Sequence, residues 1–246
     1  MEIIKLEIET DLFRKNVYQL DDIFDGKEFY EQEEIIYKDF KPYYIQCLVE
    51  SADIKLIHSL EDIGFRFVEF RVINTLLSQN FNLISDNAFY PYQLQLITNK
   101  LIFKKAELLL KESFSDDRFS NDPLIKKNIS KDRIVSYLHK SFVNQPGEFL
   151  YGLINATTDE MVAFKSGEIF NNNEVMFYLN GSKKKQDDSK FYNMLDNLLI
   201  SSLITQGIIE FHSITSGYNF KELNLYTHNL NFNIQSTKVL LRKIYN

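Results

Sequence analysis

The sequence predicts an α/β protein in which a small α/β unit precedes a larger one. Three observations predict it. Segments with apolar residues at every second position alternate with segments at helical spacing along the whole chain. Glycines stand just past two apolar-striped segments, at Gly64 and Gly207, where a helix C-terminus favours them. Between Leu77 and Pro91 the pattern lapses into Ser, Asn and Asp, which sets a boundary between residues 1–90 and 91–246.

In the first unit, Ile3 to Glu9 alternates like a strand, and the acidic stretch Asp22 to Asp39 reads as a peripheral helix. Tyr43 to Val49 is a second strand. Ser51 or Asp53 then caps a helix that carries Ile54, Ile57 and Leu60 on one face and ends at Gly64. Phe65 to Leu76 is a third strand, and a strand–helix–strand unit predicts parallel neighbours in one sheet. In the second unit, a strand over Gln93 to Thr98 leads to a helix over Leu101 to Phe114 with Ile102, Ala106, Leu109 and Leu110 on one face. A polar loop over Ser115 to Pro123 and a helix over Asp132 to Val143 follow. Leu150–Asn155, Glu160–Phe170 and Glu174–Leu179 form an antiparallel meander, with Asn171-Asn172-Asn173 as one of its turns. A long helix from Asp188 carries Phe191, Leu195, Leu198, Leu199 and Leu203, and Gly207 ends it. A strand over Ile208 to Ile214, a helix over Phe220 to Asn229 and a strand over Thr237 to Ile244 complete the order.

Composition narrows the function classes. Apolar residues make up 44% and charged residues 25%, as in ordinary globular proteins. The formal net charge of −6 lacks the basic excess that phosphate-backbone binding needs, so no nucleic-acid partner is expected. Cys47, the single cysteine, lies in an apolar run and reads as a small buried hydrophobe. His58, His139, His212 and His228 show no metal-ligand spacing with one another or with Cys47, which predicts no metal site. The N-terminal residues alternate rather than form a signal peptide, and no apolar run approaches the roughly 20 residues a membrane helix needs. A cytoplasmic protein without a membrane partner is expected.

The element order of the second unit resembles that of the GNAT superfamily of acyl-CoA-dependent N-acetyltransferases. The likeness sharpens over Ser213 to Tyr226 and Asn229 to Phe232, where Asn219 opens a helix and Tyr226 follows seven residues later, about two turns on. Ala52 to Glu69 and Phe114 to Phe119 extend it towards the dTDP-fucosamine acetyltransferase group, which acetylates an amino sugar carried on a nucleotide. The resemblance implies the acyl-CoA N-acyltransferase fold, a mixed, mostly antiparallel central sheet flanked by helices. It implies acetyl-CoA as co-substrate, a primary amine such as a dTDP-amino sugar as acceptor, and a homodimer paired through C-terminal strands.

The residues the resemblance puts to work are these. Tyr226 would protonate the departing thiolate, the alternative being a packing tyrosine. Glu174 would serve as base, the alternative being an exposed strand glutamate. Backbone N–H groups near Leu179 and Asn180 would meet the thioester carbonyl, Leu179 and Gly181 would contact the cofactor, and Asn219 would cap its helix or touch CoA. Arg118 and Phe119 would meet the sugar nucleotide, unless Arg118 pairs with Asp116, Asp117 or Asp122. The turn before the long helix departs from the family. Gly181-Ser182-Lys183-Lys184-Lys185-Gln186-Asp187-Asp188-Ser189 retains Gln186 but holds Asp and Ser where the pyrophosphate-cradling glycines belong. Lys185, Gln186 and Ser189 remain the cofactor candidates there. A transferase fold that binds a ligand or partner without acyl transfer is the second reading.

Overall fold

The computed structural model describes residues 1–22, 25–113, 119, 122–142, 147–183 and 188–245. Ten strands form one continuous sheet: β1 (Glu2–Lys5), β2 (Val17–Asp21), β3 (Tyr44–Glu50), β4 (Arg66–Leu77), β5 (Tyr92–Leu96), β6 (Glu148–Asn155), β7 (Glu160–Phe170), β8 (Glu174–Ser182), β9 (Glu210–Ser216) and β10 (Asn233–Ile244). Their order is β1-β2-β3-β10-β4-β9-β8-β7-β6-β5. Only β2–β3 and β8–β9 pair in parallel; the other neighbours are antiparallel. The helices are α1 (Glu7–Phe13), α2 (Gly26–Phe40), α3 (Ile54–Asp62), α4 (Lys100–Ser113), α5 (Lys127–Phe142), α6 (Asp188–Thr205) and α7 (Phe220–Asn224), with a π turn over Leu225–Asn229. The mixed, mostly antiparallel sheet flanked by helices is the expected one.

Local chemistry accounts for most boundaries. Asp53 caps α3 by accepting the Leu56 N–H (3.0 Å). Gly64 (φ +99°) and Gly207 (φ +97°) take the left-handed conformation just past α3 and α6, at no side-chain cost. Asn171 and Asn172 both have positive φ, the geometry that a tight turn between twisted strands requires.

Two expectations fail. The strand at Ile3 stops at Lys5, and Glu7 starts α1 instead of continuing to Glu9. Helical geometry buries Glu9 completely, where its carboxylate accepts from Arg133 Nε (2.7 Å) and the Tyr137 hydroxyl (2.9 Å) on α5. That tertiary demand overrides a short period-2 pattern. The strands flanking α3 are also not neighbours: β10 lies between β3 and β4, antiparallel to both. Strand insertion from the far end of the chain leaves no local trace.

The insertion reveals a repeat in topology. β2-α2-β3-α3-β4 and β8-α6-β9-α7-β10 follow the same path, and the strand order from β1 to β7 reads the same from either end when one path replaces the other. The dyad runs between β4 and β10, so each half takes its last strand into the other half. One core cluster fills the N-terminal half around Phe29, Leu60 and Phe65. Two more cover opposite faces of the second half, one around Leu199, Phe211 and Tyr226, the other around Phe103, Leu138 and Phe164.

Asp122 ties the last strand down. It is buried and accepts two bonds from Arg242 on β10, at 2.7 and 3.0 Å. Asp122→Ala strands that guanidinium in the interior and is expected to cost about 3 kcal/mol, measured by urea denaturation. Loss of less than about 0.5 kcal/mol would mean that the pair carries no weight.

Candidate active site

β8 and β9 run in register only from Glu174↔Glu210 to Phe177↔Ser213. Beyond that point β8 continues to Ser182 and β9 to Ser216 without pairing, so the sheet opens into a V. A bulge sits where the V begins: Tyr178 and Leu179 together oppose Ser166, between the pairs Gly167↔Phe177 and Lys165↔Asn180. A bulge re-aims side chains. Here it brings Lys165, Phe177 and Asn180 to the same face of the sheet, against α6 and the π turn.

Lys165, Asp196 and Tyr226 meet on that face, each 1% exposed. The Lys165 ammonium donates to Asp196 Oδ1 in a short ion pair and to the Tyr226 hydroxyl oxygen at 2.9 Å. It also lies over the rings of Phe177 (4.8 Å) and Tyr226 (5.0 Å). Because Tyr226 accepts from Lys165, its own hydrogen is directed elsewhere, and no acceptor meets it among the described residues. Asp196 Oδ2 is buried with no partner among the described residues.

Glu222, on α7, borders this group. Asn180 Nδ2 donates to its Oε1 and Asn219 Nδ2 to its Oε2 (2.8 Å). The first bond joins the β8 arm of the V to the helix that follows the β9 arm. Asn219 also caps α7 by accepting the Glu222 N–H (3.3 Å). A π turn, which adds a residue to the ordinary helical turn, carries Tyr226 inward against Phe232.

Electrostatics follow from burial. Desolvation alone would discharge Lys165, but Asp196 and the Tyr226 oxygen outweigh it and hold the ammonium above its ordinary value. Burial pushes the Tyr226 phenol up, with Glu222 and Asp196 adding to that and Lys165 opposing it. Burial likewise raises Asp196 and Glu222 against the pull of Lys165. The site therefore holds a neutral phenol beside a charged ammonium.

Of the residues singled out in the sequence, Tyr226 is bonded to Lys165 and Asn219 to Glu222. Leu179 stands at the bulge, where its N–H donates to Ser166 Oγ (3.1 Å) and its side chain joins the α4 cluster. Gly181 leaves no space for a Cβ, which would fall 2.4 Å from Phe164 Cε1. Glu174 lies at the closed end of the V beside His212, with no bond to the Lys165 group among the described residues. Phe119 is 0% exposed and packs on Phe13 and Tyr44 in a separate cluster. Arg118, Lys185 and Gln186, and the side chain of Ser189, lie outside the described residues. Lys183 pairs with Glu160.

Sequence reasoning missed Lys165, Asp196 and Glu222. The first two did leave a signal: each is the lone charge in an apolar stretch, Met161-Val162-Ala163-Phe164-Lys165 and Met194-Leu195-Asp196-Asn197-Leu198-Leu199. Opposite charges in two such stretches suggest a buried pair.

No protein-family model and no curated protein sequence matches the chain. Solved structures do match in fold. A GCN5-related N-acetyltransferase from Sphaerobacter thermophilus superposes with a TM-score of 0.68 at 11% identity, over 99% of this chain and 75% of that one. A functionally unknown conserved protein from Staphylococcus epidermidis gives 0.67 at 10% identity, over 100% and 93%. A tandem GNAT protein from the clavulanic acid biosynthesis pathway gives 0.60 at 9% identity, over 93% and 75%. The fold is that of the GCN5-related N-acetyltransferases.

Lys165→Met is expected to destabilise the protein by about 3 kcal/mol in urea unfolding, because it leaves the Asp196 carboxylate buried alone. Adding Asp196→Leu should restore most of that loss. A double variant as unstable as the sum of its parts would mean that the two charges do not act as a pair.

Proposed function

We propose that the protein is an acyl-CoA-dependent N-acyltransferase whose general acid is Tyr226. The observation that carries this reading is the Lys165–Tyr226 bond: the phenol accepts from an ammonium and so keeps its own proton for another acceptor. An amine nitrogen attacks the thioester carbonyl and forms the C–N bond, the C–S bond breaks, and the thiolate takes the Tyr226 proton. A tyrosine with an ordinary pKa of about 10 gives up a proton to a thiolate of about 8.5 only uphill, and the burial of Tyr226 steepens that step. The Lys165 charge, 2.9 Å away in a site shielded from water, stabilises the phenolate as it forms. Glu222 takes the proton that the amine loses, directly or through water. Its raised pKa makes it a stronger proton acceptor than an ordinary carboxylate. The acyl donor is acetyl-CoA and the acceptor a primary amine. An amino sugar on a nucleotide is the first class to test, on the strength of the three sequence segments named above.

Tyr226→Phe should lower kcat by about 100-fold or more while acetyl-CoA binding stays within about 3-fold. Equal turnover in that variant removes Tyr226 from the chemistry. Glu222 must be ionised to act, and its pKa is raised, so kcat/KM should climb with pH through a value above the usual carboxylate pKa of about 4.3. Glu222→Gln should abolish that limb, and an unchanged pH profile would exclude Glu222 as base.

One arrangement favours a binding protein instead. The Asn180–Glu222 bond spans the V, and the three central groups are almost inaccessible. Calorimetric titration with acetyl-CoA separates the two: micromolar binding supports the transferase, and none at millimolar CoA leaves a ligand- or partner-binding fold.

A further inference from the structure

The closed end of the V holds a second cluster of polar groups. Glu174 and Glu210, the first residues of β8 and β9, pair directly across the parallel ladder. Two like charges facing each other on adjacent strands repel. Among the described residues no Lys or Arg pairs with either. His212, two residues along β9, points its Nε2 between them, 3.5 Å from an oxygen of each. That nitrogen is buried and hydrogen-bonds to nothing among the described residues, and the His212 side chain is 13% exposed.

Behind the ring, the Thr75 hydroxyl lies 3.5 Å from His212 Nδ1 and donates to Gln235 Oε1 (3.0 Å). A polar group at the second ring nitrogen orients a metal-binding histidine. The spacing fits as well. Ligand atoms about 2.1 Å from a tetrahedral ion lie about 3.4 Å from one another, against the 3.5 Å found from Nε2 to each carboxylate. All three ligand atoms fall within 4.8 Å of one another.

We propose that Glu174, Glu210 and His212 bind one divalent transition-metal ion, with zinc the best match to one imidazole and two carboxylates. The two glutamates are partly exposed, so water completes the coordination. The ion neutralises the facing carboxylates and clamps β8 to β9 at the vertex from which they diverge. It takes no part in acyl transfer, so the site stands or falls independently of the function proposed above.

The test is zinc(II) binding to untagged full-length protein, by competition with a chromophoric chelator and by thermal unfolding. One ion per chain should bind with a Kd of about 10 μM or below and raise Tm. His212→Ala and Glu210→Gln should each weaken binding by about 30-fold or more, and Thr75→Val by about 10-fold. Absence of one-to-one binding up to millimolar zinc overturns the site. So does binding of unchanged strength in His212→Ala, which would place the ion elsewhere.

Discussion

Taking an ammonium and a carboxylate out of water costs several kcal/mol for each ion, and Lys165 and Asp196 are both 1% exposed. Only their contact with each other, on a strand and a helix held in fixed relation, makes that burial tolerable. The remaining features of the site follow from this pair. The ammonium keeps one hydrogen bond for Tyr226, which orients the phenol. The net charge near balance leaves burial as the dominant influence on Tyr226 and Glu222, which is why both hold their protons more tightly than usual. Even the bulge on β8 serves the pair, since it brings Asn180 and Phe177 to the face on which Lys165 points.

The two halves share a path but not a chemistry. In the first half the parallel pair β2–β3 sets Leu20 beside Cys47, and both belong with Val49 to an apolar cluster. Burial pushes the Cys47 thiol up to about 12, so it stays protonated and inert. The start of α2 is pressed onto α3: a Cβ on Gly26 would fall 2.7 Å from backbone atoms of Ser59. One half carries the buried Lys165–Asp196 pair, and the other contributes packing and the strand β4.

How much of this was legible in the sequence depends on how far apart the determinants lie. Caps and turns are local, so Asp53, Gly64, Gly207 and the Asn171–Asn173 turn were readable from the residues themselves. Asn219 was legible as a cap for the same reason, and Tyr226 through its place in a recognised segment. Strand order was not legible, because β10 pairs with strands made far earlier in the chain and nothing in its own composition says so. Lys165 and Asp196 lie outside every motif; their meaning comes from a meeting in space. Glu9 misled for a related reason: its partner Arg133 belongs to another element, and the strand-like alternation around it is too short to resist. The grouping of His212 with Glu174 and Glu210 was not legible in the spacing of histidines and cysteine, since the residues it faces are glutamates, one of them on a different strand.

The exchange of β4 and β10 across the dyad has a consequence for biogenesis. While the ribosome is still translating, β3 and β4 emerge with a gap between them that only the last strand can fill. The early half must wait, with one edge of β3 and both edges of β4 unpaired, until β9 and β10 have been made. Such long-range closure slows folding and exposes edges that can pair wrongly with other nascent chains. The same topology makes the two halves interdependent once closed: neither can peel away without tearing a central strand from its partner. Cooperativity here comes from interleaving, as in a clasped pair of hands, rather than from a large interface between separate bodies.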